Sequence, residues 1–197
     1  MSGSNFEEGI RAQLDDSIAV FRYLTEKATF IENSAQLMIR SLKAGGKLMI
    51  CGNGGSASDA QHFAAELVGR FIKNRPPLAA IALSTDTSII TAVANDFTYD
   101  QIFSRQIEAL GNPGDVLVGL STSGNSANVI NAVYAARDKG IQSILLSGKG
   151  GGKLAELTDH ALVVPSDFSA RIQEGHIAII HIWCKLIEDK MFPPAQD

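Results

Sequence analysis

The sequence predicts an α/β fold in which helices cover both faces of a five-stranded parallel sheet. Two observations support this. Five short apolar runs alternate with helical patterns, and no hairpin signal joins any two of them. Parallel strands are buried on both faces and are typically near-continuous apolar segments, and their alternation with helices indicates a doubly wound sheet.

Two helices are predicted before the first strand, from Asn5 to about Ala44. The first helix has apolar residues at intervals close to 3.6 residues, namely Ile10, Leu14, Ile18, Phe21 and Leu24. The second, "IENSAQLMIRSLKAGG", ends at Gly45-Gly46, which is a typical C-terminal stop for a helix.

The remaining elements alternate along the chain. Strands are predicted at 47–51, 78–83, 115–121, 143–147 and 161–165. Helices are predicted near 57–70, 87–94, 100–110, 126–138, 152–157 and 169–191. We expect one domain over 1–197, in which 46–191 form the α/β core and the last helix. Ligands of such sheets bind outside the carboxyl ends of the strands.

Composition excludes several classes of protein. The chain has 17 basic and 21 acidic residues and no basic run, which argues against nucleic-acid binding. We also expect no membrane partner, because no segment approaches 18 consecutive apolar residues. The N-terminal segment "MSGSNFEEGIRAQ" lacks the pattern of a signal peptide, so we expect a cytoplasmic protein. Two cysteines, Cys51 and Cys184, cannot form a disulfide framework.

A glycine-rich turn, "CGNGGSA", follows the first predicted strand and opens a helix. Glycines allow close backbone approach, and a helix N-terminus attracts anions. Gly52, Gly54 and Ala57 also fit a loose dinucleotide fingerprint. That alternative is weak because the nearest acidic residue after the second strand, Asp86, lies some 30 residues on rather than about 20.

A second loop, "LSTSGNSANVI", also follows a strand and opens a helix. Four hydroxyls beside helix N-terminal amides suit a phosphate monoester, and they belong to Ser121, Thr122, Ser123 and Ser126. The alternative is an ordinary helix cap formed by Ser126. Asn95 and Asp96, at the end of another predicted helix, are candidates for binding sugar hydroxyls or for a simple helix end.

Two helices carry residues that suit proton transfer or metal binding. His62 and Glu66 lie four residues apart and share a helix face. Taken alone, they are more typical of a solvated surface pair. Gln173 and His181 lie on the long C-terminal helix, within about 80° of each other around its axis, where the alternative is a histidine with a purely structural role in the core.

Together, "DAQHFAAEL" after the glycine loop, "STSGNS", "AND" and "RIQEGHIAIIH" resemble the phosphoheptose isomerase family of the sugar isomerase (SIS) domain superfamily. The resemblance runs to about Met191. It implies a flavodoxin-like fold with N-terminal helices at about 1–45 used in oligomerisation, a homotetramer, and active sites between subunits. Ala170 stands where some relatives carry an Asp.

The resemblance also implies roles for individual residues. Glu66 and His181 match the catalytic pair. One zinc ion per subunit would be held by His62, Glu66, Gln173 and His181. Substrate contacts would come from Asn53, Gly54, Gly55, Glu66, Asn95, Asp96, Ser121, Thr122, Ser123, Ser126 and Gln173.

The implied reaction converts D-sedoheptulose 7-phosphate into D-glycero-D-manno-heptose 7-phosphate through an enediol, at the start of heptose supply for lipopolysaccharide. Two alternatives remain. One is a non-enzymatic relative that binds the replication initiator DnaA but lacks the glutamate matched by Glu66. The other is an isomerase for another sugar phosphate, such as arabinose 5-phosphate.

Overall fold

Five parallel strands form one sheet in the order β2-β1-β3-β4-β5. They are β1 (Leu48–Gly52), β2 (Ala80–Ala82), β3 (Val116–Ser121), β4 (Gln142–Ser147) and β5 (His160–Val163). The computed structural model describes residues 6–193, so the ends of the predicted domain, 1–5 and 194–197, lie outside the described residues. The strand order is that of the flavodoxin-like doubly wound sheet and confirms the predicted fold class.

Eight α-helices accompany the sheet in the described residues. They are α1 (Phe6–Glu26), α2 (Ala28–Lys43), α3 (Gly55–Val68), α4 (Thr87–Asp96), α5 (Ser104–Leu110), α6 (Ala127–Asp138), α7 (Gly152–Leu157) and α8 (Ser169–Met191). The helix predicted at 100–110 is instead a 3-10 turn, Tyr99–Gln101, followed by α5. The Gln106 side chain donates a hydrogen bond to the Ile102 carbonyl at this break, and Ile102 is buried.

Residues of the strands alternate between two hydrophobic cores. In β1, Leu48 and Ile50 pack with α1, α2, α3 and α8. Met49 and Cys51 face the opposite side and pack with α4, α5, α6 and α7. This alternation follows from the two-residue period of a strand and explains why the strands are apolar throughout.

The long helix α8 is anchored against α2 and α3. Trp183 is fully buried, donates its indole N–H to the Ile31 carbonyl over 3.0 Å and stacks on Phe63. Cys51 and Cys184 are both free and buried, and burial raises the pKa of each thiol to about 12. Among the helices of residues 6–193, none combines the length and apolar character of a membrane span.

Candidate active site

The loops after β1 and β3 meet at the carboxyl edge of the sheet. Gly52 and Leu120 are paired in register, so each loop starts at the same level. The amides of Asn53 and Asn128 exchange two hydrogen bonds, of 2.9 and 2.8 Å, across the gap. Tyr99 donates a third, of 3.0 Å, to the Asn53 side chain. Ligands of doubly wound sheets bind where the strand order reverses, as it does between β1 and β3.

The glycine loop brings the start of α3 close to α8. Gly54 has a φ of +56°, which favours glycine. A side chain at Gly55 would begin 2.5 Å from Nε2 of Gln173. A Cβ at Gly55 would therefore displace the end of the Gln173 side chain from the start of α3.

The hydroxyl-rich loop after β3 is organised by its own hydrogen bonds. The Ser121 hydroxyl lies 3.0 Å from that of Ser126 and accepts the Gly124 amide over 3.2 Å. The Asn125 amide donates to the Ser123 hydroxyl over 3.2 Å. Ser126 stands at the N-cap of α6, yet its side chain makes no capping hydrogen bond. Simple capping therefore does not account for this serine.

Gly124 makes the tightest backbone contact in this loop. Its φ is +64°, and a Cβ there would lie 1.8 Å from the carbonyl oxygen of Gly151. The Leu154 amide also donates to the Gly124 carbonyl over 2.9 Å. The loop after β4 thus fixes the shape of the hydroxyl-rich loop from outside.

Asn95 and Asp96 lie at the C-terminal end of α4, where both are exposed. The Asn95 amide donates to the Asp96 carboxylate over 2.8 Å. At the other end of α4, Asp86 accepts the Ile89 amide and caps the helix. Asn95 and Asp96 are available to solvent, whereas Asp86 has a structural role.

His62, Glu66 and His181 come together on the outer surfaces of α3 and α8. The Nε2 atoms of the two imidazoles lie 3.0 Å apart, and His62 Nε2 lies 3.2 Å from Glu66 Oε1. His181 is exposed, so it is not a structural core histidine. The core histidine of the same helix is His176, which is fully buried. The Phe71 ring packs against His181 with centroids 6.0 Å apart.

Gln173 occupies a different level of the same helix pair. It contacts Gly55, seven residues before His62 on α3, and precedes His181 by eight residues on α8. At 1.5 Å per residue, these separations correspond to about 10–12 Å along each axis. The structure therefore brings three of the four predicted zinc ligands together and places Gln173 nearer the glycine loop.

Asp59 lies one turn before His62 on α3 and has one carboxylate oxygen buried without a hydrogen-bond partner. Burial raises the pKa of this carboxyl to about 6, although the neighbouring His62 acts in the opposite direction. Helical spacing puts Asp59 on roughly the same side as His62, but nothing in the sequence indicates its burial.

The donor types of this cluster suit zinc, since two imidazoles and a carboxylate form a common catalytic zinc set. Even so, between residues 6 and 193 no group of three or more His, Cys, Asp or Glu side chains has a geometry that could hold a metal ion as it stands. The residues fit zinc by chemistry, and binding would require side-chain adjustment.

Comparison with known proteins identifies the family. A SIS domain model matches residues 14–148. The phosphoheptose isomerase of Rhodospirillum rubrum is 54% identical over 185 residues, covering 94% of this chain and 98% of that protein. The chain belongs to the phosphoheptose isomerase family.

Solved structures of phosphoheptose isomerases share its architecture. The Neisseria gonorrhoeae protein is 46% identical with a TM-score of 0.89, covering 94% of this chain and 100% of that chain. The protein from Francisella tularensis has the same TM-score at 40% identity and the same two coverages. The phosphoheptose isomerase family fold thus extends over nearly all of the chain.

Sequence reasoning missed the residues that support the site from behind. Asn128 is the second residue after "STSGNS" and lies in α6 as predicted, but the sequence does not show that it pairs with Asn53. Phe71 packs against His181, and Arg75 and Glu188 pair with each other, only because of the tertiary fold. The one signal present was an arginine directly before two prolines, "NRPP".

Proposed function

We propose that this protein isomerises D-sedoheptulose 7-phosphate to D-glycero-D-manno-heptose 7-phosphate. The observation that carries this proposal is the cluster of His62, Glu66 and His181 on α3 and α8. His62 Nε2 lies 3.0 Å from Nε2 of His181 and 3.2 Å from Oε1 of Glu66. Family membership supports it, since relatives more than half identical in sequence are named phosphoheptose isomerases. Carboxylate and imidazole groups are those that general acid–base catalysis uses most often.

The reaction moves hydrogen between two carbons and two oxygens. Glu66 removes a proton from C1 of the ketose while the C2 carbonyl oxygen gains one, which gives the enediol. A proton then returns to C2, and the C1 hydroxyl loses its proton to form the aldehyde. His181 acts as the acid and delivers a proton to the enediol. Positioned proton transfer contributes about 10²–10⁴-fold to the rate.

The phosphate is proposed to bind in the loop of Ser121, Thr122, Ser123 and Ser126 at the start of α6. Hydroxyls and helix N-terminal amides are typical partners of phosphate. Binding energy from this remote group helps to orient the reacting carbons. Asn53, Gly54, Gly55, Asn95, Asp96 and Gln173 are the proposed contacts to the rest of the sugar.

Zinc, at one ion per subunit, is part of the proposal. His62, Glu66 and His181 would hold it, and Gln173 would have to move closer to join them. Glu66 and His181 would have to release the ion while they transfer protons. When bound, zinc would act as a Lewis acid on a carbonyl oxygen. The test is metal content by mass spectrometry: wild-type protein should bind about one zinc per chain, and His62→Ala should bind none. Equal zinc in both would contradict this ligand set.

The homotetramer with sites between subunits is supported by an apolar stripe on α1. Ile10, Leu14, Ile18 and Phe21 remain between 46% and 59% exposed in the single chain, although Leu24 is buried against α8. Exposed contiguous apolar faces mark interaction sites. Light scattering should give a tetramer, and Leu14→Glu should reduce its size. We propose that the reaction takes place in the cytoplasm. Its product would supply heptose for lipopolysaccharide.

Substrate competition tests the proposed function directly. We expect wild-type protein to convert sedoheptulose 7-phosphate much faster than arabinose 5-phosphate. Nuclear magnetic resonance of the sugar carbons measures both conversions. Faster turnover of the pentose would favour the alternative isomerase. No turnover, together with binding to DnaA, would favour the non-enzymatic alternative; the presence of Glu66 argues against that outcome.

A further inference from the structure

A buried ion pair connects the end of α3 to α8. Arg75 Nε lies 3.1 Å from Glu188 Oε2, and the two side chains are only 2% and 1% exposed. A buried ion pair is weak evidence for stability, because desolvation offsets the attraction. The contribution of this ion pair to function therefore depends on which parts of the backbone it holds in place.

Glu188 holds the segment between α3 and β2 by its backbone. Its carboxylate accepts the successive amides of Phe71, Ile72 and Lys73, at 3.3, 3.1 and 2.7 Å. Burial alone would raise the pKa of Glu188, but these amides and Arg75 outweigh burial and lower it. The charged carboxylate is thus the centre of a fixed turn.

Arg75 closes the C-terminal end of α3. Its Nη1 donates to the Leu67 carbonyl over 2.7 Å, and its Nη2 donates to the Glu66 carbonyl over 2.8 Å. Carbonyls in the last turn of a helix lack partners within the helix. Arg75 supplies donors for two of these carbonyls, and one of the two belongs to Glu66, the proposed base.

The same segment reaches the proposed acid. Phe71 donates its amide to Glu188 and packs its ring against His181 at 6.0 Å. Glu188 follows His181 by seven residues on α8, about two turns, so both lie on nearly the same face. One buried network therefore contacts the backbone of Glu66 and the ring of His181.

We infer that Arg75 and Glu188 are positioning residues that set Glu66 and His181 at working distance from each other. The inference rests on the proposed function. Neither residue needs to contact the substrate. A displacement of 1 Å caused by a change far from the chemistry can reduce the rate about 10²-fold, so a pair that fixes two helices can matter for turnover more than for stability.

The chain offers a matched control at the opposite edge of the sheet. Asp115 is 3% exposed, pairs with Lys47 Nζ over 2.6 Å and accepts the amides of Lys47 and Asn112 over 2.9 and 2.8 Å. Like Glu188, Asp115 is a buried carboxylate that binds a cationic side chain and backbone amides, although Lys47 is 25% exposed and Arg75 only 2%. It lies before β1 and β3, away from the site loops.

The experiment compares Glu188→Gln, Arg75→Lys and Asp115→Asn. Glutamine at 188 puts an NH₂ group toward amide donors whichever way it turns. Lysine at 75 keeps the charge but loses the fork that binds two carbonyls, and it serves as a second variant if Glu188→Gln folds poorly. Melting temperature, kcat and KM for sedoheptulose 7-phosphate, and crystal structures are measured for each.

We expect Asp115→Asn to lower the melting temperature with kcat unchanged. Glu188→Gln and Arg75→Lys should lower kcat about 10- to 100-fold with little change in KM, and their crystal structures should show longer His62–His181 and His62–Glu66 distances. Kinetics no worse than those of Asp115→Asn, or an undisplaced cluster, would overturn the inference. If wild-type protein fails to turn over the sugar, the proposed function fails, and the crystal distances still decide the inference.

Discussion

The hydroxyl-rich loop after β3 and the histidine cluster on α3 and α8 are built in opposite ways. The loop is held by hydrogen bonds among its own residues, such as that between Ser121 and Ser126, and by the Gly124 contact with Gly151. The cluster has side chains from two helices, and His62 is 44% exposed. The loop is shaped locally, whereas the cluster depends on helix packing. Substitutions in the loop should mainly alter binding, and those in the cluster should alter turnover.

The largest effect is expected for Glu66→Gln. Glutamine keeps the shape but cannot accept the C1 proton, so kcat should fall about 10²–10⁴-fold. Stopped assays of aldose formation give the rate. Circular dichroism and light scattering, as controls, should match wild type. Turnover near the wild-type rate would remove Glu66 as the base.

Gly124→Ala tests the shape of the loop. Its Cβ would lie 1.8 Å from the Gly151 carbonyl oxygen, so the loop must shift and KM should rise severalfold, with a loss of stability above about 1 kcal/mol. Gly140→Ala is the control, because Gly140 also has a positive φ, +69°, but its Cβ would meet only Pro113 at 3.9 Å. Chemical denaturation and KM are the measurements. Equal KM for both variants would argue against a binding role for the loop.

Ser123→Ala should raise KM about tenfold with kcat nearly unchanged, since a hydrogen bond to a charged group is worth about 1.5–3 kcal/mol. The comparison is Thr91→Ala, whose hydroxyl bonds only to carbonyls of α4. Initial-rate kinetics over a range of sugar phosphate separates the two. A fall in kcat without a change in KM would move Ser123 from phosphate binding to the chemistry.

The smallest effect on turnover is expected for the buried histidine of α8, whose protonation changes stability instead. Burial lowers the pKa of His176 from an ordinary value of 6.5 to about 4. Between these values the unfolded chain binds a proton that the folded chain does not, so stability falls as pH drops from about 6.5 to 4, by up to about 3 kcal/mol. Above pH 6.5 this contribution is constant.

His176→Gln is the comparison for that prediction, because glutamine does not titrate. Unfolding free energies of both proteins are measured from pH 4 to 7. Asp59, with a pKa of about 6, changes stability with pH in the opposite direction over part of this range. It is present in both proteins, so its effect cancels in the comparison. The difference between the two curves should therefore grow with pH, and a constant difference would contradict the prediction.

Local patterns were sufficient to predict the sheet and the loops. Apolar runs predicted all five strands within two residues at each boundary, and the glycine and serine loops follow β1 and β3 as expected. The break at Ile102 was not predicted; there the Gln106 side chain donates to the Ile102 carbonyl, a contact that apolar periodicity does not show.

Predictions that depend on tertiary distance were less complete. Helical spacing put Gln173 and His181 on nearly one face, but it could not show that α3 meets α8 at two levels, with Gly55 opposite Gln173 and His62 opposite His181. The support from Arg75 and Glu188 joins residues 113 positions apart. No local pattern carries such a contact.

Isotope exchange tests the central claim most directly. Wild-type protein and Glu66→Gln are incubated with sedoheptulose 7-phosphate in D₂O, and the sugar carbons are followed by nuclear magnetic resonance. With wild type, deuterium should enter C1 of the ketose and C2 of the newly formed aldose, whereas Glu66→Gln should give almost none. Absence of both aldose and exchange with the wild-type protein, or equal exchange with Glu66→Gln, would contradict the account.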